Sequence, residues 1–221
     1  MLLPALSAAR ERARSASCTS NLKQIGLASN LYSGDNKDFF VLNTFPGSKY
    51  WWAEIAHYIA ADGEESDDNA VLRQRYRMLA CPSDQLFGDV HTTYKNNVTN
   101  YGLNSAICGN SSYSSFTLGE IEDPTKTLLA CDLKFDSTPG RDSMFVSCYF
   151  QINNTWYKAN PNNKYGGYLN WRHGSIANVA FTDGHVDGFA AGGDPDIAFR
   201  DPFEVHKKAG YPSPAAQDYL Y

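Results

Sequence analysis

The sequence predicts an α+β protein in which a long N-terminal helix packs on an antiparallel β-sheet head with long loops. Three observations lead to this fold class. Residues 2 to about 33 carry a continuous helix signal, the chain beyond residue 70 alternates apolar runs with turn residues, and Asp183-Gly184 separates two strand-like segments. We therefore divide the chain into an N-terminal helix, residues 1–34, and a head, residues 35–221.

Composition and charge place the chain among globular proteins and restrict its partners. Hydrophobic residues make up 43% of the 221 positions and charged residues 19%, which is typical of a folded domain with its own core. The net charge is −5 and no basic stripe follows residue 25, so we predict no nucleic-acid partner.

No apolar run approaches the roughly 20 residues that span a bilayer. The opening residues, MLLPAL, are typical of the end of an apolar helix, and we expect a longer apolar segment before them in the full-length protein.

The N-terminal helix changes its apolar face partway along. At about 100° per residue, one side carries Leu3, Leu6, Ala9, Ala13 and Ala16, and a roughly opposite side carries Cys18, Leu22, Ile25 and Tyr32. A globular head that covers only the second half explains the change. The alternative is an ordinary surface helix that breaks near residues 15–20. Gly34 begins a helix stop signal.

Further elements follow from local patterns. Residues 49–60 predict a short amphipathic helix, with Trp52, Ile55, Ala56 and Ile59 on one side. Residues 62–69 form an acidic stretch that we interpret as a solvated loop. The apolar run at 126–133 predicts a buried strand, and 143–152 predicts another strand.

The most distinct local signal is a hairpin at residues 175–189. Asp-Gly is a strong signal for a two-residue turn, since both central positions need positive φ. That turn would set Phe181 opposite Val186. The core face of the first strand would then consist of Ala177, Val179 and Phe181, with Asn178, Ala180 and Thr182 pointing the other way.

The five cysteines do not form any C-x-x-C pair, which argues against a zinc ribbon or a thioredoxin-type site. Cys81 precedes a proline in a loop, and a disulfide from Cys81 to Cys18 or to a cysteine on another strand is one interpretation. Buried free thiols are an equally good one.

Several separated motifs together resemble one bacterial family. His173 is followed by nine residues and then Asp183-Gly184, and CPSD at 81–84, NYGLN at 100–104 and TLLACD at 127–132 precede it in order. With the N-terminal helix, these motifs resemble the pseudopilin or type IV pilin-like family that carries a prepilin-type processing-associated His-x(9)-Asp-Gly C-terminal domain. The resemblance implies a pilin-like fold in which the second half of the helix lies on the sheet.

The resemblance implies a structural subunit of a type II secretion or type IV pilus-like assembly. In the full-length form it would be anchored in the inner membrane of the cell envelope, with a periplasmic or extracellular head. Its implied partners are other pseudopilin subunits, the secretion machinery and a prepilin peptidase. The alternative is a pilin-anchored surface protein that binds carbohydrate or another ligand, with stacking surfaces drawn from Trp51, Trp52, Trp156 and Trp171.

We predict no enzymatic activity, because the motifs of common hydrolases, metalloproteases and nucleotide-binding enzymes are lacking in the sequence. The family motif residues His173, Asp183 and Gly184 receive structural roles: the histidine anchors its strand by hydrogen bonding, and Asp-Gly makes the turn. His185-x-Asp187 has a spacing that suits a metal, but we interpret it as a polar strand face. We predict no catalytic, cofactor or metal residue, leaving calcium at residues 192–196 as the open alternative.

Overall fold

A computed structural model describes residues 2–46, 49–59, 77–84, 99–109, 115–134, 147–148 and 168–190. The elements in chain order are α1 (Leu2–Asp35), β1 (Thr44–Phe45), β2 (Lys49–Tyr50), α2 (Trp51–Ile59), a 3-10 turn (Arg77–Leu79), β3 (Tyr101–Asn104), α3 (Ser105–Cys108), a second 3-10 turn (Leu118–Glu120), β4 (Leu128–Lys134), β5 (Ser147–Cys148), β6 (Tyr168–Leu169), β7 (Ile176–Phe181) and β8 (Val186–Ala190). The fold is α+β, as predicted. The predicted acidic loop at 62–69, Trp156 and the candidate calcium segment at 192–196 lie outside the described residues.

The main sheet has the strand order β5-β3-β4-β7-β8, and β6 pairs with the end of β4. Each neighbouring pair among β3, β4, β7 and β8 is antiparallel, whereas β5 adds to β3 in parallel. The register sets Tyr101 opposite Asp132. Residues directly opposite in a ladder share a face, so these two side chains lie together on the same side of the sheet.

Helix α1 is continuous through residues 15–20, so the prediction of one long helix is confirmed. From Pro4 to Ser17 the side chains are exposed or half-buried, and Leu6 is 49% exposed. Cys18, Leu22 and Ile25 are fully buried. The helix therefore has one environment before residue 18 and another after it. Among the described residues, none of the helices combines the length and apolarity that crossing a membrane requires.

The core of the head holds large aromatic side chains beside the aliphatic face of α1. Trp51, Trp52, Tyr101, Phe40 and Phe116 are almost completely buried. The predicted helix at 49–60 is confirmed as α2, and the predicted apolar strand at 126–133 is confirmed as β4. Of the strand predicted at 143–152, the described residues contain the two of β5. Burial of these side chains is the main source of stability of the head.

The hairpin prediction is wrong by one residue. The structure pairs Ala180 with Val186, so the loop has three residues, 182–184. The Phe181 N–H donates to His185 O at 2.9 Å, and the Gly184 N–H donates to Phe181 O at 2.9 Å. In three-residue hairpin loops, a type I turn is typically followed by one residue in the left-handed region. Gly184 occupies that position with φ 91°, so one positive φ suffices where the two-residue turn would need two.

Strand β7 is covered on both faces, which corrects the prediction of a single core face. Asn178, Ala180 and Thr182 are as buried as Ala177 and Val179. The reason is that β7 is an interior strand of the sheet with α1 lying on one of its faces, where Thr19 Oγ1 donates to Asn178 Oδ1 at 3.4 Å.

Replacing Gly184 with Ala is expected to destabilise the head by about 1–2 kcal/mol, because a Cβ is disfavoured in the left-handed region. The matched control is Gly34→Ala. Gly34 lies in α1, a Cβ there would meet open space, and we expect a gain of about 0.5–1 kcal/mol. Urea denaturation of the two variants measures both changes, and equal signs would contradict the hairpin geometry.

Candidate functional site

Four side chains with metal-ligating or nucleophilic chemistry meet beneath α1. They are Cys18, Cys81, Asp132 and His173, and their ligand atoms all lie within 4.8 Å of one another. All four residues are buried. We call this group the Cys-Asp-His cluster. Its members come from four segments that are distant in sequence, so the fold itself assembles it.

The loop that presents Cys81 is held by backbone and amide hydrogen bonds. The Cys81 N–H donates to Asn100 Oδ1 at 2.8 Å, and the Asn100 N–H donates to Leu79 O at 2.9 Å. The Asp84 N–H donates to Cys81 O at 2.9 Å, which closes the Pro-Ser-Asp turn. These bonds tie the loop to the segment that enters β3, and they fix the position of the Cys81 thiol.

Asp132 and His173 are set by the sheet. Asp132 lies in β4, in the middle of an otherwise apolar run. His173 precedes β7 in a tight turn, where its N–H donates to Ile176 O at 3.2 Å. Gly174 and Ser175 have φ of 66° and 71°, the left-handed pair that a type I′ turn needs. The turn thus brings His173 back over β4.

Contacts within the Cys-Asp-His cluster are short. Cys18 Sγ lies 3.2 Å from Asp132 Oδ2 and 3.3 Å from Oδ1. His173 Nε2 lies 3.3 Å from Asp132 Oδ2 and 3.5 Å from Cys81 Sγ. Asp132 therefore contacts both a thiol and the imidazole, and His173 contacts both the carboxylate and the second thiol.

The other nitrogen of His173 faces α1. His173 Nδ1 lies 3.1 Å from Glu11 Oε1 and 3.3 Å from Ser83 Oγ, and Ser83 Oγ donates to Glu11 Oε1 at 2.6 Å. His173 is therefore held between two carboxylates, Glu11 on one side and Asp132 on the other. This arrangement links the exposed half of α1 to the buried cluster.

An outer layer of polar groups surrounds the cluster. The Tyr101 hydroxyl donates to Cys18 Sγ at 3.2 Å, and Asn21 Nδ2 donates to the Tyr101 hydroxyl at 3.1 Å. Arg172 Nη1 lies 3.2 Å from Asp84 Oδ2, and Arg172 Nε lies 4.0 Å from Asp132 Oδ1. Arg172 therefore places a fixed positive charge next to the carboxylate.

Electrostatics favour a charged pair at Cys81 and His173. Burial lowers the pKa of His173, but the hydrogen bonds that its protonated ring donates to Asp132 and Cys81 outweigh burial and raise this pKa to about 10. The hydrogen bond from Cys18 lowers the pKa of the Cys81 thiol to about 6, against the effect of burial and with help from His173. The same hydrogen bond, burial and the Asp132 charge raise the pKa of Cys18.

A thiolate beside an imidazolium is also the arrangement of a cysteine nucleophile, with Glu11 in the place of the residue that orients the histidine. Reactive cysteines, however, are partly exposed to their substrates. Cys81 is 1% exposed, and a second thiol and a carboxylate share its pocket. The surroundings of Cys81 therefore favour binding of a small ion over attack on a substrate.

Cys18 and Cys81, the cysteines of the predicted disulfide, are neighbours in the structure and are present there as free thiols. Both are buried, which agrees with the alternative interpretation of buried free thiols. A disulfide between them remains a prediction, and it is one outcome of the metal experiment described below.

The residues of the His-x(9)-Asp-Gly pattern lie in two separate places. His173 belongs to the cluster, whereas Asp183 and Gly184 lie beyond the opposite end of β7, on the order of 17 Å away at about 3.3 Å per residue. Asp183 Oδ1 accepts from the His185 N–H at 3.0 Å and lies 2.6 Å from His185 Nδ1. The interaction of His185 is thus with the turn and not with Asp187, whose carboxylate accepts from the Gly188 N–H.

Sequence reasoning missed Asp132 and Glu11, and it singled out His173 without its contacts to these two carboxylates. A signal for Asp132 was present, since a single carboxylate inside an apolar strand needs a partner. The motifs CPSD, NYGLN and TLLACD each supply a residue to the cluster or to its outer layer, namely Cys81, Tyr101 and Asp132. Their meeting could not be seen from spacing along the chain.

One protein family matches part of the chain. Its description is a protein of unknown function, DUF1559, and the match covers residues 7–49, which is most of α1 and the first residues of the head. The motif from His173 to Gly184 lies outside this match. Neither the curated proteins nor the solved structures contain a match to the chain.

Proposed function

We propose that the protein is a structural subunit of a type II secretion or type IV pilus-like assembly. The full-length form would be anchored in the inner membrane, with the head in the periplasm or outside the cell. The observation that carries this proposal is the two-part environment of α1, whose second half is part of the core while residues 4–17 stay exposed or half-buried. A helix that serves only the head would not need that first part.

The exposed side of α1 is suited to packing against other helices. Leu6, Ala9 and Ala13 are exposed, and the same side continues in Leu27 and Leu31, which are 60% and 47% exposed. At about 100° per residue these positions share an arc of about 60°. Small and aliphatic side chains in one row allow close helix–helix approach. The natural partners of this row are the same helices of other subunits.

The ligand-binding alternative has less support. Trp51 and Trp52 are buried in the core, and their indoles are therefore unavailable for stacking on a ligand. Trp171 is partly buried against the same core. The remaining proposed partners, the secretion machinery and a prepilin peptidase, would act on the full-length, membrane-anchored form.

Charge on the exposed row of α1 is expected to block assembly while leaving the head intact. In the full-length protein, Leu6→Glu with Ala13→Glu should lower filament or cross-linked oligomer yield at least tenfold, because each interface would bury uncompensated carboxylates. The change in unfolding free energy should stay within about 0.5 kcal/mol, as for other surface positions. Lys126→Glu, an exposed charge change on the head, is the control.

Cross-linking in native membranes, followed by gel analysis, measures the assembly of these variants. If the Leu6/Ala13 double variant assembled like the control, the exposed row would not be an interface and the proposal would lose its main support. Cleavage of the full-length protein by a prepilin peptidase would be a second and independent test of the proposed function.

A further inference from the structure

We propose that the Cys-Asp-His cluster is a zinc site, with Cys18 Sγ, Cys81 Sγ, Asp132 Oδ2 and His173 Nε2 as the four ligands. The site would be structural and would fasten α1 to the head. This inference goes beyond the proposed assembly role and does not depend on it.

The spacing of the ligand atoms fits a tetrahedral ion. Zinc binds cysteine sulfur at about 2.3 Å and histidine nitrogen or carboxylate oxygen at about 2.0–2.2 Å, so the ligand atoms of a tetrahedral site lie about 3.4–3.8 Å apart. The observed separations are 3.2 Å for Cys18–Asp132, 3.3 Å for His173–Asp132 and 3.5 Å for Cys81–His173. These three pairs need only a modest expansion to accommodate the ion, and the other pairs of ligand atoms lie within 4.8 Å.

The outer layer has the form that metal sites use to orient their ligands. A ligating histidine usually donates its second ring N–H to a carboxylate, which fixes the tautomer and strengthens the ligand. Glu11 stands in that position, 3.1 Å from His173 Nδ1, and leaves Nε2 for the cluster. Tyr101 donates to Cys18 Sγ, and Asn100 holds the Cys81 backbone.

The charges of the four ligands also favour a divalent cation. Two thiolates, one carboxylate and a neutral histidine carry three negative charges, and a divalent cation leaves one. Arg172, whose Nε lies 4.0 Å from Asp132 Oδ1, stands next to that remaining charge. A buried group of thiols and a carboxylate without a cation is costly to keep in the interior. The cation thus offsets two of the three negative charges of the ligands.

The ligand set selects the class of ion. Two sulfurs, one nitrogen and one oxygen in a tetrahedral arrangement are typical of zinc, whereas calcium takes six to eight oxygen ligands. Four protein ligands and complete burial leave no open position for a substrate, which is the form of a structural site and not of a catalytic one. The ion would join α1, the Cys81 loop, β4 and the His173 turn at one point.

The test begins with the unmodified chain. Elemental analysis after purification is expected to find about one zinc per protein. Replacement by cobalt(II) is expected to give the visible bands of a tetrahedral ion and near-ultraviolet thiolate-to-cobalt absorption. Cys81→Ser should weaken the thiolate band, because only Cys18 remains as a thiolate ligand, and should lose most of the affinity. Cys108→Ser, which removes another buried thiol outside the cluster, should change neither.

A second variant covers the case in which Cys81→Ser does not fold. Glu11 is partly exposed and contacts the histidine and not the ion, so Glu11→Gln should fold and still bind cobalt tetrahedrally. We expect its zinc affinity, measured by competition with a chelator, to fall about 10- to 100-fold. Unchanged affinity would show that Glu11 does not support the ligand and would count against the site.

Three results would overturn the zinc site. The first is unmodified protein that binds neither zinc nor cobalt at one equivalent. The second is a mass two hydrogens lower with Cys18 and Cys81 joined as a disulfide. The third is rapid alkylation of Cys81 in the folded protein with excess zinc, which would identify an accessible nucleophile. All three can occur while the assembly test succeeds, so failure here is distinguishable from failure of the proposed function.

Discussion

Asp132→Asn is expected to destabilise the head by about 3–5 kcal/mol, the largest effect we anticipate from one isosteric change. Asp132 is fully buried and contacts Cys18, His173 and, at 4.0 Å, the guanidinium of Arg172. Removal of one partner from a buried charged group leaves the others uncompensated in the interior, and such losses are of this size. Asp132→Asn should also lower the unfolding free energy of the zinc-bound protein, because the amide is a poorer ligand than the carboxylate.

Urea denaturation followed by circular dichroism measures this change. Asp187→Asn is the matched control, because Asp187 is an exposed carboxylate on β8, and we expect less than about 0.5 kcal/mol there. A loss below about 1 kcal/mol at Asp132 would mean that its negative charge does not hold the cluster together.

The second large effect is expected at Leu22, where Leu22→Ala should cost about 2–5 kcal/mol. Leu22 is fully buried on the side of α1 that faces the sheet, and truncation would leave a cavity that the surrounding β-structure cannot fill. Leu27 offers a control on the same helix with the same chemistry, since it is 60% exposed. Leu27→Ala should change the stability by no more than about 0.5 kcal/mol.

Thermal and urea unfolding of both leucine variants give the comparison directly. Similar losses of unfolding free energy at the two positions would show that burial of Leu22 against the sheet is not the source of the effect, since Ala is the better helix former of the two residues. A large loss only at Leu22 would establish that the second half of α1 is part of the cooperative unit of the head.

Elements with a local signal were predictable from sequence. The change of face in α1, the short helix α2 and the apolar strand β4 each follow from periodicity within a few turns or one run. The hairpin at Asp183 was found, but its register was off by one residue. The two-residue turn needs positive φ at two residues, whereas the observed three-residue loop needs it only at Gly184. The Asp-Gly pair is compatible with both loops.

The cluster could not be predicted because its parts are separated by long stretches of chain. Cys18 and Asp132 are 114 positions apart, and only the packing of α1 on β4 brings them together. His173 was noticed through its spacing to Asp183, which is a turn relation, while its contacts to Glu11 and Asp132 depend on tertiary structure. The lone carboxylate of Asp132 in an apolar run was the one local hint.

The position of the cluster along α1 has a mechanical consequence. The polar bonds from α1 to the head at Glu11, Cys18 and Asn21 lie where the helix passes from its exposed half into the core. A pulling force that arrives along the helix axis from its N-terminal end reaches these bonds before it reaches the apolar contacts of Leu22 and Ile25. Because these bonds connect α1 to different strands and loops, we expect such a force to load them together.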